Sequence, residues 1–231
     1  MAQAINNTDP VFIDDNSKEI YYGDQDEKYV HMNQAFWIPC IGYMQKGFDG
    51  HIYVSGATGS GKSYIIRKII LNDKRKRQVI LFTDLKHDDP TLMDIKYDKF
   101  GIDQDHGWNW VQKNEANKIL IFDDVQFNEE VLRYRDKMLE KGRHIHTIVM
   151  CVNHRLQDYS KTRVPLNESR FLVTFPCSNR GHVFRYLKHE FEMDPKLLNE
   201  FLDKACEEGR HLIIHRFHPV TLASKESILK V

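Results

Sequence analysis

The sequence predicts an α/β protein built on a central, mainly parallel β-sheet flanked by helices. Three observations predict it. Residues 51–63 read HIYVSGATGSGKS, a strand-favouring run and a glycine-rich loop, and helical spacing of Ile65, Ile66, Ile69 and Ile70 follows. Residues 78–83, 118–124, 147–152 and 170–175 are short apolar runs, the pattern of strands buried on both faces. Stretches with helical spacing or helix caps separate several of these runs, and that alternation is how a parallel sheet is threaded.

Taken in order, residues 1–30 carry seven acidic residues against Lys18 and Lys28. Apolar residues first gather at Phe36-Trp37-Ile38-Pro39. Residues 1–49 therefore read as an acidic arm and lead-in, with residues 50–231 as the P-loop domain. The opening MAQAINNTDP has neither the basic start nor the apolar core of a signal peptide, and no apolar run approaches a membrane span.

Gly56-Ala57-Thr58-Gly59-Ser60-Gly61-Lys62-Ser63 fits G-x-x-x-x-G-K-[ST] at every fixed position. Glycines let successive backbone N–H groups point at phosphate oxygens, and the helix that follows adds its dipole. Lys62 brings a point charge to the β- and γ-phosphates of ATP, and the Ser63 hydroxyl can ligate Mg²⁺. The basic run Lys74-Arg75-Lys76-Arg77 reads as a solvated turn or a nucleic-acid contact. The next strand ends at Asp84-Leu85-Lys86. Residues 87–117 are the least legible: Asp88-Asp89-Pro90 can cap a short helix, and Trp108 and Trp110 are expected to pack over the sheet.

Residues 118–124, KILIFDD, form the second motif: a buried strand delivering two carboxylates. Asp123 is placed to hold Mg²⁺ through its water shell, and Asp124 to orient or deprotonate an attacking water. A helix over 128–141 is capped by Asn128, carries Glu129 and Glu130 in its first turn and stops at Gly142. The strand over 147–152 ends in Asn153, either a γ-phosphate sensor or a turn residue. Residues 154–170 form a basic connection with Arg155, Lys161, Arg163 and Arg170. A helix over 178–193 follows, then one capped by Asp194-Pro195 whose apolar face is Leu197, Leu198, Phe201, Leu202 and Ala205, ended by Gly209. Residues 211–217 and the tail make final strands.

Residues 141–190 hold nine Lys or Arg against three acids, a net +6 that suits either a polyanion or a solvated face. The four cysteines stand far apart and read as reduced core thiols, and the twelve histidines show no zinc-ligand spacing.

GATGSGKS, the strand ending Asp84-Leu85-Lys86, ILIFDD, and Gly142-Arg143-His144 before a strand ending in an amide together resemble the FtsK–HerA superfamily of DNA-pumping ATPases. The short chain and RFLVTFP from Arg170 to Pro176 look most like the genome-packaging ATPases of large DNA viruses and virophages. The resemblance spans residues 50–217. It implies an additional-strand, RecA-like P-loop fold and a homo-oligomeric ring, expected as a hexamer, that threads double-stranded DNA with ATP between subunits. It assigns the phosphates and Mg²⁺ to Lys62 and Ser63, Mg²⁺ to Asp123, and water to Asp124. It gives Arg143 to a neighbour's nucleotide, with Arg163 and Arg170 as rivals. A capsid protein at a packaging vertex is the further partner implied, and the expected location is the host cytoplasm, the viral assembly site or the virion. Two positions depart from the family pattern. Asp124 stands where glutamate is usual, and Asn153, with Gln157 nearby, where glutamine is usual. Two other readings share the same core: a P-loop kinase with 154–170 as its lid, and a nucleotide-gated clamp or scaffold. The Asp124 carboxylate favours water over a kinase acceptor.

Overall fold

Apolar strands buried on both faces set the architecture around the P-loop. The computed structural model describes residues 50–231 except 72, 74, 102–114, 126–127, 158–161, 217–219, 225–226 and 231. It also describes the backbone of short strands before residue 50, and the backbone alone at 208, 221 and 227–230. The chain divides into two units, residues 41–170 and residues 1–40 with 171–231.

The first unit contains β5 (His51–Ser55), α1 (Lys62–Leu71), β6 (Gln78–Thr83), β7 (Tyr97–Gly101), β8 (Lys118–Asp123), α2 (Glu129–Lys141), β9 (Ile148–Asn153) and α3 (Arg163–Glu168). Its strands lie in the order β5-β9-β8-β6-β7, every pair parallel. β9 thus lies between the P-loop strand and the carboxylate strand, the additional-strand arrangement. The register sets Ser55 opposite Asn153, Asp123 opposite Val152, and Thr83 opposite Asp123, so these strand ends share one edge. Ile52, Val54, Ile119 and Met150 are buried, as parallel strands covered on both faces require. Phe82 stacks on Phe122 at 4.6 Å between ring centroids.

Several local expectations are met by the geometry. Asn128 accepts from the N–H groups of Glu130 and Val131 at 3.0 and 3.1 Å, capping α2. α2 ends at Gly142, a position that packing reserves for glycine: a Cβ there would lie 2.9 Å from the Thr147 carbonyl oxygen. A 3₁₀ turn, Gly142–Ile145, then leads to His146 in the left-handed region.

Elsewhere the structure adds or corrects. β7 and a 3₁₀ turn, Pro90–Leu92, occupy part of the stretch least legible in the sequence; the turn is capped by Asp89, within the expected Asp88-Asp89-Pro90, while Trp108 and Trp110 lie outside the described residues. α3 lies within the basic connection 154–170, for which the sequence predicted no helix. Arg77 is buried and pairs with Asp73, which removes it from any solvated basic patch.

In the other unit, β1 (Val11–Asp14), β2 (Ile20–Tyr22) and β4 (Ala35–Phe36) form an antiparallel sheet. β10 (Ser169–Thr174), β11 (Leu212–His215), β12 (Thr221–Ala223), β13 (Ser227–Lys230) and β3 (Tyr29–His31) pair antiparallel in that order. The final strands are thus a meander. α4 (Pro176–Glu190) carries a non-helical Asn179, and α5 (Pro195–Glu208) is capped by Asp194, which accepts from Leu197 N–H at 2.8 Å. The expectation of core thiols holds for Cys151. Cys177 is exposed and Cys206 half-buried, with the Cys177 thiol 3.4 Å from the Gly209 carbonyl; Cys40 lies outside the described residues.

His211, at the start of β11, makes stability depend on pH. Burial lowers its imidazole from 6.5 to about 4. As pH falls below 6.5 the unfolded chain takes up a proton that the folded one refuses, so stability is lost between pH 6.5 and about 4. At pH 5 the loss is about 2 kcal/mol. His211→Gln should shrink the fall in melting temperature between pH 7.5 and pH 5; an unchanged fall would contradict this.

Candidate nucleotide-phosphate site

The loop between β5 and α1 carries residues 56–61, with Lys62 and Ser63 in the first turn of α1. Its base is fixed to β9, where the Gly56 N–H donates to the Asn153 carbonyl at 3.1 Å. The Ser60 N–H donates back to the Ala57 carbonyl at 3.1 Å, closing the turn. Gly59 and Gly61 have φ of 75° and 108°, values that side chains disfavour. Thr58 and Gly59 form the exposed tip.

Lys62 Nζ donates to the Gly56 carbonyl at 2.7 Å and the Ala57 carbonyl at 3.1 Å, folded over its own loop. Burial lowers its pKa, and the charges of Asp123 and Asp124 oppose that. Asp123 ends β8. Burial pushes its carboxyl up to about 6; Lys62 opposes the rise, and Asp124 and Asp89 reinforce it. Asp124 follows with φ of 52°, its N–H donating to the Val152 carbonyl at 2.9 Å. Left-handed backbone at a non-glycine residue costs free energy, and here it turns the carboxylate out of the strand line.

Two residues that sequence reasoning gave no role at this site meet these groups. His154 Nε2 lies 3.1 Å from Asp124 Oδ2, joining the ends of β8 and β9. Asp89 lies close enough to the Ser63 hydroxyl for that group to lower its carboxyl. Burial raises the Asp89 carboxyl, but Ser63 and the hydrogen bond from Thr91 outweigh this and hold it below its ordinary value. The only local signals were a histidine after a strand-end amide and an acid before Pro90.

Asn153 stands at this edge and is buried. Its Nδ2 donates to the Tyr53 hydroxyl at 3.0 Å, which donates to the Arg155 carbonyl at 2.8 Å. Gln157 is exposed. Arg143 is not brought to this cluster. It is exposed in the turn preceding β9, whose six residues separate it from Asn153 by about 20 Å. There its charge adds to the burial that lowers Arg170 to about 10. Arg163 is exposed at the start of α3.

The residues fit a nucleotide phosphate and a divalent cation. Ser60 Oγ is buried in the loop without a hydrogen-bond partner, and Lys62 is held by carbonyls that a phosphate can replace. Among the described residues no three His, Cys, Asp or Glu are grouped to hold an ion alone. A cation here would take ligands from Ser63, the Asp123 side and phosphate oxygens, the mixed set that suits Mg²⁺.

No protein-family model matches the chain, and no curated protein matches it in sequence. Among solved structures, B204, the DNA-packaging ATPase from Sulfolobus Turreted Icosahedral Virus, matches with a TM-score of 0.51. That match is 14% identical and covers 77% of this chain and 98% of B204. The cytoplasmic domain of the Type VII secretion ATPase EccC of Thermomonospora curvata matches with a TM-score of 0.51. It is 12% identical and covers all of this chain but 29% of EccC. The chain has the P-loop NTPase fold. At these identities the likeness is one of fold, and within that fold Gly56 to Ser63 form the P-loop. Asp123 and Asp124 end the strand that carries the acidic pair. No helix among the described residues is long and apolar enough to cross a membrane.

Asp124→Asn separates binding from turnover. Asparagine tolerates the left-handed backbone, so the fold should persist, while the carboxylate charge expected to accept a proton from water is removed. Nucleotide affinity in the presence of Mg²⁺ should stay within a few-fold, with hydrolysis down by about 10²-fold or more. Equilibrium binding and phosphate release measure the two; lost binding would instead make Asp124 a ligand.

Proposed function

We propose that this protein is an ATP hydrolase that drives double-stranded DNA, packaging a genome as part of a homo-oligomeric ring. The observation that carries the hydrolase reading is Lys62, folded over the P-loop, within electrostatic reach of two successive carboxylates at the end of β8, one strand beyond β9. Lys62 neutralises charge on the β- and γ-phosphates, Ser63 and Asp123 hold Mg²⁺, and Asp124 takes the proton of the attacking water. Mg²⁺, when bound, would supply positive charge that offsets the charge of the phosphates. Asn153 fixes the loop base through its carbonyl and presents its amide beside Tyr53.

The DNA reading is supported by the FtsK–HerA-like order of motifs, by the likeness of fold to a DNA-packaging ATPase, and by the positive excess of residues 141–190. Within that excess Arg155 and Arg163 are exposed. ATP hydrolysis should rise on adding long double-stranded DNA. DNA binding should be insensitive to sequence and weaken steeply with salt. Neutralising Arg155, Lys161 and Arg163 together should flatten the plot of log affinity against log salt. No stimulation by DNA, with hydrolysis intact, would leave an ATPase that is not a DNA motor.

The position of Arg143 supports completion of the site by a neighbouring subunit. An arginine about 20 Å from its own P-loop cannot serve it, yet one from a neighbour would contribute about 10³–10⁵ in rate. Arg143→Ala and Lys62→Ala, each inactive alone, should partly restore hydrolysis when mixed. Failure to recover in demonstrated mixed rings, or full activity of Arg143→Ala, would exclude Arg143 as that group.

A further inference from the structure

We propose that His154 is a positioning residue for Asp124, holding the carboxylate of the proposed water base in one orientation at the end of β8. The inference rests on the reading of this sheet edge as an ATP-hydrolysing site and adds a residue to it. The contact is direct: His154 Nε2 lies 3.1 Å from Asp124 Oδ2, and both side chains are half-exposed, where solvent reaches them. Asp124 follows β8 in the left-handed region, with φ of 52°, and its N–H donates to the Val152 carbonyl at 2.9 Å. That bond fixes the backbone, and the side-chain torsions are left to what the carboxylate touches. A carboxylate has about four acceptor sites on its two oxygens, so holding Oδ2 does not stop it accepting from a water.

His154 is itself anchored on both sides. Before it, the Asn153 carbonyl accepts from the Gly56 N–H at 3.1 Å, and Asn153 Nδ2 donates to the Tyr53 hydroxyl at 3.0 Å. After it, the Arg155 carbonyl accepts from that same hydroxyl at 2.8 Å. Tyr53 is fully buried in β5, so one fixed phenol bridges the two neighbours of His154. The imidazole thus starts from a backbone tied to the base of the P-loop and has only its own two torsions to fix. A purely structural tie between β8 and β9 would be redundant here, because the Asp124 N–H and the pairing of Asp123 with Val152 already join their ends. What the His154 contact adds falls on the carboxylate.

Substitution of a half-exposed residue should leave the melting temperature within a few degrees. His154→Ala should lower kcat about tenfold with KM for ATP within about twofold, since misplacing a reacting group costs rate rather than binding. His154→Gln, whose Nε2 reaches about as far from the backbone, should restore kcat to within about threefold of wild type. Binding shows the same split without turnover. Affinity for ADP with aluminium fluoride and Mg²⁺, a mimic of the transition state with its in-line water, should fall about tenfold in His154→Ala. Affinity for a non-hydrolysable ATP analogue should stay within about twofold. In the Asp124→Asn background, His154→Ala should change the residual rate by less than about twofold, because no carboxylate is left to position. Should His154→Ala melt below the assay temperature, His154→Leu, which fills the space without a donor, carries the same comparison. Unchanged kcat, equal losses for the two analogues, no rescue by His154→Gln, or a full further loss in the Asp124→Asn background overturns the role of His154 while the nucleotide site stands. A wild-type protein that binds neither analogue overturns the hydrolase reading and this inference with it.

Discussion

One half-buried lysine facing carboxylates is the constraint on which the site depends. Removing Lys62 and Asp123 from water disfavours both charges, and neither partner fully compensates the other. Lys62 is steadied by two loop carbonyls, and Asp123 is left with its proton affinity raised to about 6. Asp124 and Asp89 add negative charge, against which His154 stands beside Asp124. Such a cluster is underneutralised as it stands. A divalent cation would relieve the carboxylates and a phosphate the lysine, so this arrangement of charge favours the two together.

The sheet is what makes that imbalance tolerable. Five parallel strands, apolar on both faces where β8 and β9 cross the core, hold the strand ends in fixed register. Asn153 and Tyr53 lock β9 to β5 just beneath the loop, and the Gly56 N–H closes the same junction. With its base fixed, the loop can keep Gly59 and Gly61 at positive φ and Asp124 in the left-handed region. The opposite edge has a different character. There Gly142 packs against His51, whose Nδ1 accepts the Val149 N–H at 3.0 Å, and Arg143 and Arg170 concentrate positive charge. A parallel sheet separates these two chemistries by a strand length, which is why one chain presents a phosphate-binding edge and an arginine-bearing edge at once.

The P-loop, the carboxylate strand, the α2 and α5 caps and the buried strands were legible in the sequence because each is a local matter. A buried strand is a run of apolar residues, a cap is one side chain reaching two or three residues along, and a P-loop is a string of backbone conformations that only glycine-rich sequence adopts. β7 was not legible: Tyr97–Gly101 is a half-exposed edge strand with charges inside it, so it shows no apolar run. α3 was hidden by its shortness and by Pro165. Arg77 looked like part of a basic surface until Asp73 folded under it. The meetings of Ser63 with Asp89 and of Asp124 with His154 join residues far apart in the chain, and nothing local marks either. By itself the sequence determined which groups end the strands and which residues form the P-loop, since short-range sterics and burial fix those. Only the tertiary structure decided which ends meet, because strand order and register, set by packing across the whole sheet, bring distant carboxylates to one serine and one lysine.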